Sequence, residues 1–242
     1  MRTFLIGGGR GTDSTAAHEP FARAVAERGS GTVVVYLLDD PDAEPARWSA
    51  TLAAAGAARS TVIVVSKDRP PRPADLDGAA GVYVAGGASP AYRDVLVDHG
   101  VEWLAAARAG KLPYAGFSAG AAVAATPALV GGWRVAYRGR DVPVCDADAG
   151  EDLDGLTVRP GLGLVPFLVD VHAAQWGTLN RLVHAVLAAH HQEGWAIDEH
   201  TALEVHDGVP VAVHGTGAAA HVRRAGASTT EITVHVAGPV HS

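Results

Sequence analysis

The chain has 242 residues and a single cysteine, Cys145, so no internal disulfide can form and a reducing cytoplasm is the compartment that suits it. Lysine is nearly absent, with Lys67 and Lys111 the two among 19 basic residues, and 26 acidic residues bring the formal net charge to −7. That balance argues against nucleic acid as a partner, because a polyanion is met by clustered basic residues and none cluster here. No apolar run approaches the roughly 18 residues of a membrane span. The start, Met1-Arg-Thr-Phe-Leu-Ile-Gly-Gly-Gly9, is too short in its apolar part for a signal peptide. The 12 histidines form no ligand-spaced set, so neither a metal nor another cofactor is expected. Internal repeats and low-complexity linkers are also missing. With 48% hydrophobic and 19% charged residues, the chain reads as one soluble domain over residues 1–242 with a sizeable core.

Glycine, by contrast, is plentiful, and its most informative use is Gly116-Phe-Ser118-Ala-Gly120. Leu112-Pro-Tyr-Ala leads in as a short strand, and Ala119, Ala121, Ala122, Val123 and Ala124 favour a helix. Strand, turn and helix in that order are the setting of a nucleophile elbow, in which glycines flank a serine held on a strained turn. The plain alternative is a strand-to-helix connection whose serine caps the helix.

Elsewhere, strands and helices alternate. Strands are expected at 2–6, 32–38, 61–65, 81–85 and just before Ser118, with helices following Ser14 or Thr15, over 42–57, and from Ser89-Pro90 with a break at Gly100. Residues 68–77 are a proline-rich loop. This alternation predicts a doubly wound, mostly parallel α/β sheet flanked by helices. The glycine clusters at 7–11, 86–87 and 116–120 fall at strand carboxyl ends, where such sheets bind ligands. From 126 to 162 the pattern weakens into an acidic, solvated stretch. A strand over 164–171, a helix over 179–189 and a strand over 195–198 follow. The tail alternates cleanly around the hairpin signal Asp207-Gly208, giving an antiparallel β extension over about 201–238.

A serine needs a base, itself oriented by a third group. Most histidines sit on the predicted 179–189 helix or in late strands. His172 instead closes the run Val165-Pro-Phe-Leu-Val-Asp-Val-His172, at a strand carboxyl end and after the serine in chain order. Asp170, two residues earlier and on the same strand face, either orients the imidazole or holds a cationic group of a substrate. For the oxyanion hole, the N–H of Ala119 follows from elbow geometry, and Gly87, in Gly86-Gly87 after a neighbouring strand, is the favoured second donor.

Gly7-Gly-Gly9, Tyr83-Val-Ala-Gly-Gly87, Gly116-x-Ser-Ala-Gly-Ala121, Asp170-x-His172 and Gly194-Trp-Ala-Ile-Asp-Glu-His-Thr-Ala202 occur in this order. Over about residues 3–205 the chain thereby resembles the dipeptidase E and cyanophycinase family of serine peptidases, which has the class I glutamine amidotransferase-like fold and cleaves next to aspartyl residues. The resemblance implies Ser118 as nucleophile, His172 as base, and Gly87 with Ala119 as the oxyanion hole. Of the arginines by which cyanophycinases grip their polymer Arg181 remains, while Trp176 and Thr178 replace two others, which argues against cyanophycin as substrate. The family's third catalytic residue stands 15–18 positions after the serine, where this chain has Trp133, Arg134, Val135 and Ala136. Asp141 fills the role if Tyr137-Arg-Gly-Arg140 is an insertion, with Glu151, Asp146 and Asp170 as alternatives, and otherwise the pair works as a dyad.

The expected function is a serine hydrolase acting on a small peptide or amide, an aspartyl dipeptide in type, through an acyl-enzyme on Ser118. Asp170 and Arg181 are the expected substrate contacts, with Arg10 and Arg134 as further candidates for a substrate carboxylate. A homodimer is compatible with the sequence. Two other readings compete: a catalytically silent small-molecule binder or interaction protein that kept the elbow, and a nucleotide-binding domain suggested by Gly7-x-Gly9-x-x-Thr12 and Asp39-Asp40. In the second of these the third fingerprint glycine is replaced.

Overall fold

A computed structural model describes residues 1–11, 14–29, 31–137, 139–188 and 190–240. Thr12 of the glycine fingerprint, Arg138 of the expected insertion and Ala189 at the expected helix end lie outside the described residues. The first half alternates as the sequence pattern requires: β1 (Arg2–Ile6), α1 (Thr15–Ala26), β2 (Thr32–Leu38), α2 (Pro45–Ala54), β3 (Ser60–Val65), β4 (Ala79–Val84), α3 (Ser89–Arg93), α4 (Glu102–Ala109), β5 (Tyr114–Phe117) and α5 (Ala119–Val123). The expected break near Gly100 separates α3 from α4, with a wide π-type turn at Asp94–Asp98 between them. Within the proline-rich loop, Pro73–Leu76 forms a single 3-10 turn.

The acidic stretch holds β6 (Ala128–Gly131), β7 (Arg134–Tyr137), β8 (Arg140–Pro143) and β9 (Thr157–Arg159), in two small antiparallel pairs, β6 with β9 and β7 with β8. Strands of three or four residues are too short to print an alternation, which is why the sequence shows only a polar connection there. The rest is β10 (Leu168–Val171), α6 (Thr178–Leu187), β11 (Glu193–Ile197), β12 (Thr201–His206), β13 (Val209–Arg224) and β14 (Thr230–Pro239).

Ten strands form one mixed sheet in the order β10-β11-β13-β12-β1-β5-β4-β2-β3, with β14 on β13. β1 to β5 are mutually parallel, as are β10 and β11. The antiparallel tail is not hung on one edge. β12 pairs β1, and β13 bridges β12 to β11, so the tail joins the two parallel blocks. The Asp207-Gly208 hairpin forms where the sequence places it.

β2 is buried from Val33 to Leu38, as a strand covered by helices on both faces must be. Around the elbow the core is aromatic. Trp48 meets Phe117 edge-on at 5.1 Å and Tyr83 at 5.6 Å, and Phe21 packs on Phe4 and Tyr83 at 5.9 Å. Such pairs add about 0.5–1.5 kcal/mol each beyond area burial, so they stiffen the ground under the serine. Among the described residues no helix is long and apolar enough to cross a membrane.

Candidate active site

Ser118 leaves β5 with φ 51° and ψ −111°, a strained conformation for a residue with a side chain. The flanking glycines explain how the turn is tolerated. A Cβ on Gly116 would lie 2.3 Å from the Gly120 carbonyl oxygen, and one on Gly120 would lie 2.3 Å from that of Val84. Tyr114, on the same strand, donates its hydroxyl to the Gly120 carbonyl at 2.7 Å and ties strand to helix.

The end of β1 acts as a template for the site. Its successive carbonyls accept three N–H groups: Ile6 from Ser118 at 2.8 Å, Gly7 from His172 at 2.9 Å, and Gly8 from His200 at 2.9 Å. At Gly8 a Cβ would fall 2.1 Å from His172 Cε1, so the glycine-rich turn makes room for the imidazole. That space is filled by the chain's own imidazole, so Gly8 leaves no room there for a nucleotide phosphate.

His172 Nε2 lies 2.8 Å from Ser118 Oγ, and its Nδ1 lies 2.7 Å from Glu199 Oε1. The parallel register explains the contact with Glu199. Val171 stands opposite Ile197, so the residues just past β10 and just past β11 emerge side by side. Asp198 pins its turn by accepting the N–H groups of Ala174 and Ala218, each at 3.0 Å, and Glu199 follows with its own N–H bonded to Gln175 Oε1 at 2.9 Å. Burial lowers the His172 pKa below its ordinary value, and Glu199 works against that by favouring the cation. The imidazole therefore rests neutral near pH 7, ready to accept a proton at Nε2.

The carboxylate beside His172 is thus not Asp141. That residue lies in β8, exposed, with its side chain toward Arg134 at 3.8 Å. Asp146 instead accepts the Asp148 N–H at the start of a 3-10 turn, and Glu151 accepts the Ser89 hydroxyl at 2.9 Å while burial raises its pKa.

Asp170 and Arg181 are corrected as substrate contacts. They bond each other through two N–H···O contacts of 2.9 and 2.7 Å, both almost fully buried, and Arg181 also donates to the carbonyls of Gly132 and Ala149. Burial opposes the Arg181 charge, but Asp170 more than offsets it and raises the pKa. The pair staples β10 and α6 to the segment carrying β6 to β9. Arg134, engaged with Asp154 at 2.5 Å, also lies away from the cavity.

A cavity of about 650 Å³ opens over Ser118, lined by His172, Glu199, Gly86, Gly87, Phe117 and Trp176, and farther out by charged residues. These are Arg10 and Arg47 together with Asp40, Asp42, Glu44, Asp148 and Glu151. Arg47 lies over the Trp48 ring at 4.8 Å and the Phe117 ring at 5.9 Å, and makes no ion pair among the described residues. Ala119 opens α5, so its N–H has no acceptor within that helix, and Gly87 faces the same space at φ 154°. No group of three His, Cys, Asp or Glu among the described residues is placed to hold a metal ion.

Glu199 is the residue that sequence reasoning missed. Its signal was present in Asp198-Glu199-His200-Thr201-Ala202, which follows a strand carboxyl end beside His172.

The contact from Ser118 through His172 to Glu199 is the arrangement of a serine hydrolase, and the family comparison narrows it to a serine-type peptidase. The model of Peptidase family S51 matches residues 44–210, and the chain belongs to that family. Two solved structures share the fold. A peptidase from an acI-B1 Actinobacterium superposes with TM-score 0.67 at 15% identity, over 96% of this chain and 93% of that one. A protein assigned as a peptidase E from Listeria monocytogenes EGD-e gives TM-score 0.54 at 17% identity, over 93% and 98%. A search of curated proteins finds no significant match.

Proposed function

We propose that the chain hydrolyses a small peptide or amide, an aspartyl dipeptide in type, through an acyl-enzyme on Ser118. The observation that carries this reading is the continuous contact from Ser118 Oγ through His172 to Glu199, at 2.8 and 2.7 Å. In the first step Ser118 Oγ attacks the scissile carbonyl carbon, the carbonyl electron pair moves onto oxygen, and the hydroxyl proton passes to His172 Nε2. Glu199 accepts a hydrogen bond from the His172 Nδ1–H, which holds the tautomer, and stabilises the imidazolium. The N–H groups of Gly87 and Ala119 are the proposed donors to the oxyanion. As the tetrahedral species collapses, the C–N bond breaks and His172 returns the proton to the leaving amine. Water then attacks the ester with His172 again as base, releasing the acid and restoring Ser118.

Arg10 and Arg47 support a substrate carrying a carboxylate, and the carboxylates of Asp148 and Glu151 offer a place for its ammonium group. The presence of Glu199 beside His172 favours this reading over a silent binder, whose motive was a missing acid. The test is turnover of an Asp-Xaa dipeptide library together with labelling by a fluorophosphonate. Wild type is expected to cleave and to gain one adduct, and Ser118→Ala to lose both, with turnover down at least ~10³-fold. Full turnover by Ser118→Ala would end the proposal.

A further inference from the structure

We infer that Trp176 is a positioning residue for His172, holding the imidazole face-on and stabilising its protonated form as the proton arrives from Ser118. The indole and imidazole are stacked, with ring centroids 3.9 Å and planes 6° apart, although Trp176 remains 46% exposed. A local turn sets this geometry. The Trp176 N–H donates to the His172 carbonyl at 2.8 Å, and Gly177 at φ 70° then swings the chain into α6. There the Thr178 hydroxyl donates to the Val171 carbonyl at 2.5 Å. Gln175, in the same turn, accepts the Glu199 N–H, so one short segment holds both the imidazole face and its acid.

An aromatic face carries negative electrostatic potential, so it attracts an imidazolium more than a neutral imidazole. His172 becomes cationic as Ser118 attacks, and an interaction that strengthens then lowers the barrier rather than tightening substrate binding. The other groups around the ring are Ser118, Glu199 past β11, Asp170 in β10 and Arg181 in α6. Glu199 and Asp170 favour the cation, and Arg181 opposes it. Arg10, Asp148 and Glu151 stand farther out in the cavity. Trp176 is the one of these that acts through the ring face, so its contribution separates from theirs by substitution. The kinetic part of the inference rests on the peptidase reading, and the electrostatic part does not.

The test compares the His172 titration in wild type, Trp176→Phe and Trp176→Leu, following the imidazole Cε1 proton by NMR and assigning it by its loss in His172→Gln. Leucine keeps apolar cover but has no π face. The His172 pKa is expected to fall by about half a pH unit in Trp176→Leu, with Trp176→Phe between the two. Fluorophosphonate acylation at neutral pH should slow about threefold in the leucine variant and recover part of that loss in the phenylalanine one. If the leucine variant does not fold, a pKa below wild type in Trp176→Phe carries the inference. An unchanged or raised pKa in the folded variants overturns it. The titration needs no turnover, so it decides this inference even where wild type neither labels nor cleaves, a result that would count against the peptidase reading alone.

Discussion

Two carboxylates, each paired with a nitrogen base, flank the end of β10, and they do opposite things. Asp170 meets Arg181 in the interior, with side chains 2% and 6% exposed, while Glu199 meets His172 at the cavity wall, with Glu199 21% exposed. The first pair consists of two opposite charges that bond each other and nothing in the cavity. In the second the base changes charge when it takes a proton, and its free nitrogen points at a serine. Burial makes a pair structural when nothing is left over to react, and functional when one atom stays accessible to a partner that moves a proton.

The comparison yields three outcomes. The largest effect is expected for Glu199→Gln, which preserves shape but removes the charge that stabilises imidazolium. Its kcat against the best dipeptide should fall ~10³–10⁴-fold with the melting temperature almost unchanged. Asp170→Asn should do the reverse, leaving the Arg181 charge buried beside a neutral partner. A urea titration should show a loss of about 3–5 kcal/mol, while the folded fraction keeps activity within about tenfold of wild type. If Asp170→Asn abolished turnover without loss of stability, the two pairs would not be distinct in kind.

The smallest effect concerns pH. Because burial sets the His172 pKa below its ordinary 6.5, the base stays unprotonated as pH falls through that value. The acid limb of kcat/KM should therefore lie below pH 6.5, and protonation of the imidazole should account for the loss beneath it. Residual activity of Glu199→Gln should show that limb displaced further toward acid, since the group that raises the pKa is gone. A limb above the ordinary histidine value would contradict the burial argument.

The same comparison explains what could be read from the sequence. The elbow was legible because its glycines, serine and flanking strand and helix are contiguous, and each is required by a close approach. His172 was legible because it ends an apolar run. The pairing of Asp170 was not, since period-two reasoning put it on the face of His172, whereas His172 has φ 56° and has already left the strand alternation. Glu199 was hidden for a different reason: it is 27 residues past His172 and reaches it only through the β10–β11 register, which local spacing does not encode. The sheet's parallel block followed from long apolar strands, but the insertion of β12 and β13 between β1 and β11 is a long-range pairing. Hydrophobic periodicity gives strands, not their neighbours.

The central claim is that Glu199, rather than Asp141, arms His172 against Ser118. It is tested most directly by the rate at which a fluorophosphonate adds to Ser118, read by intact mass in wild type, Glu199→Gln and Asp141→Asn. Wild type and Asp141→Asn should label at rates within about twofold of each other, and Glu199→Gln at least ~10²-fold more slowly. Labelling of Glu199→Gln at the wild-type rate, or a collapse confined to Asp141→Asn, would contradict the account.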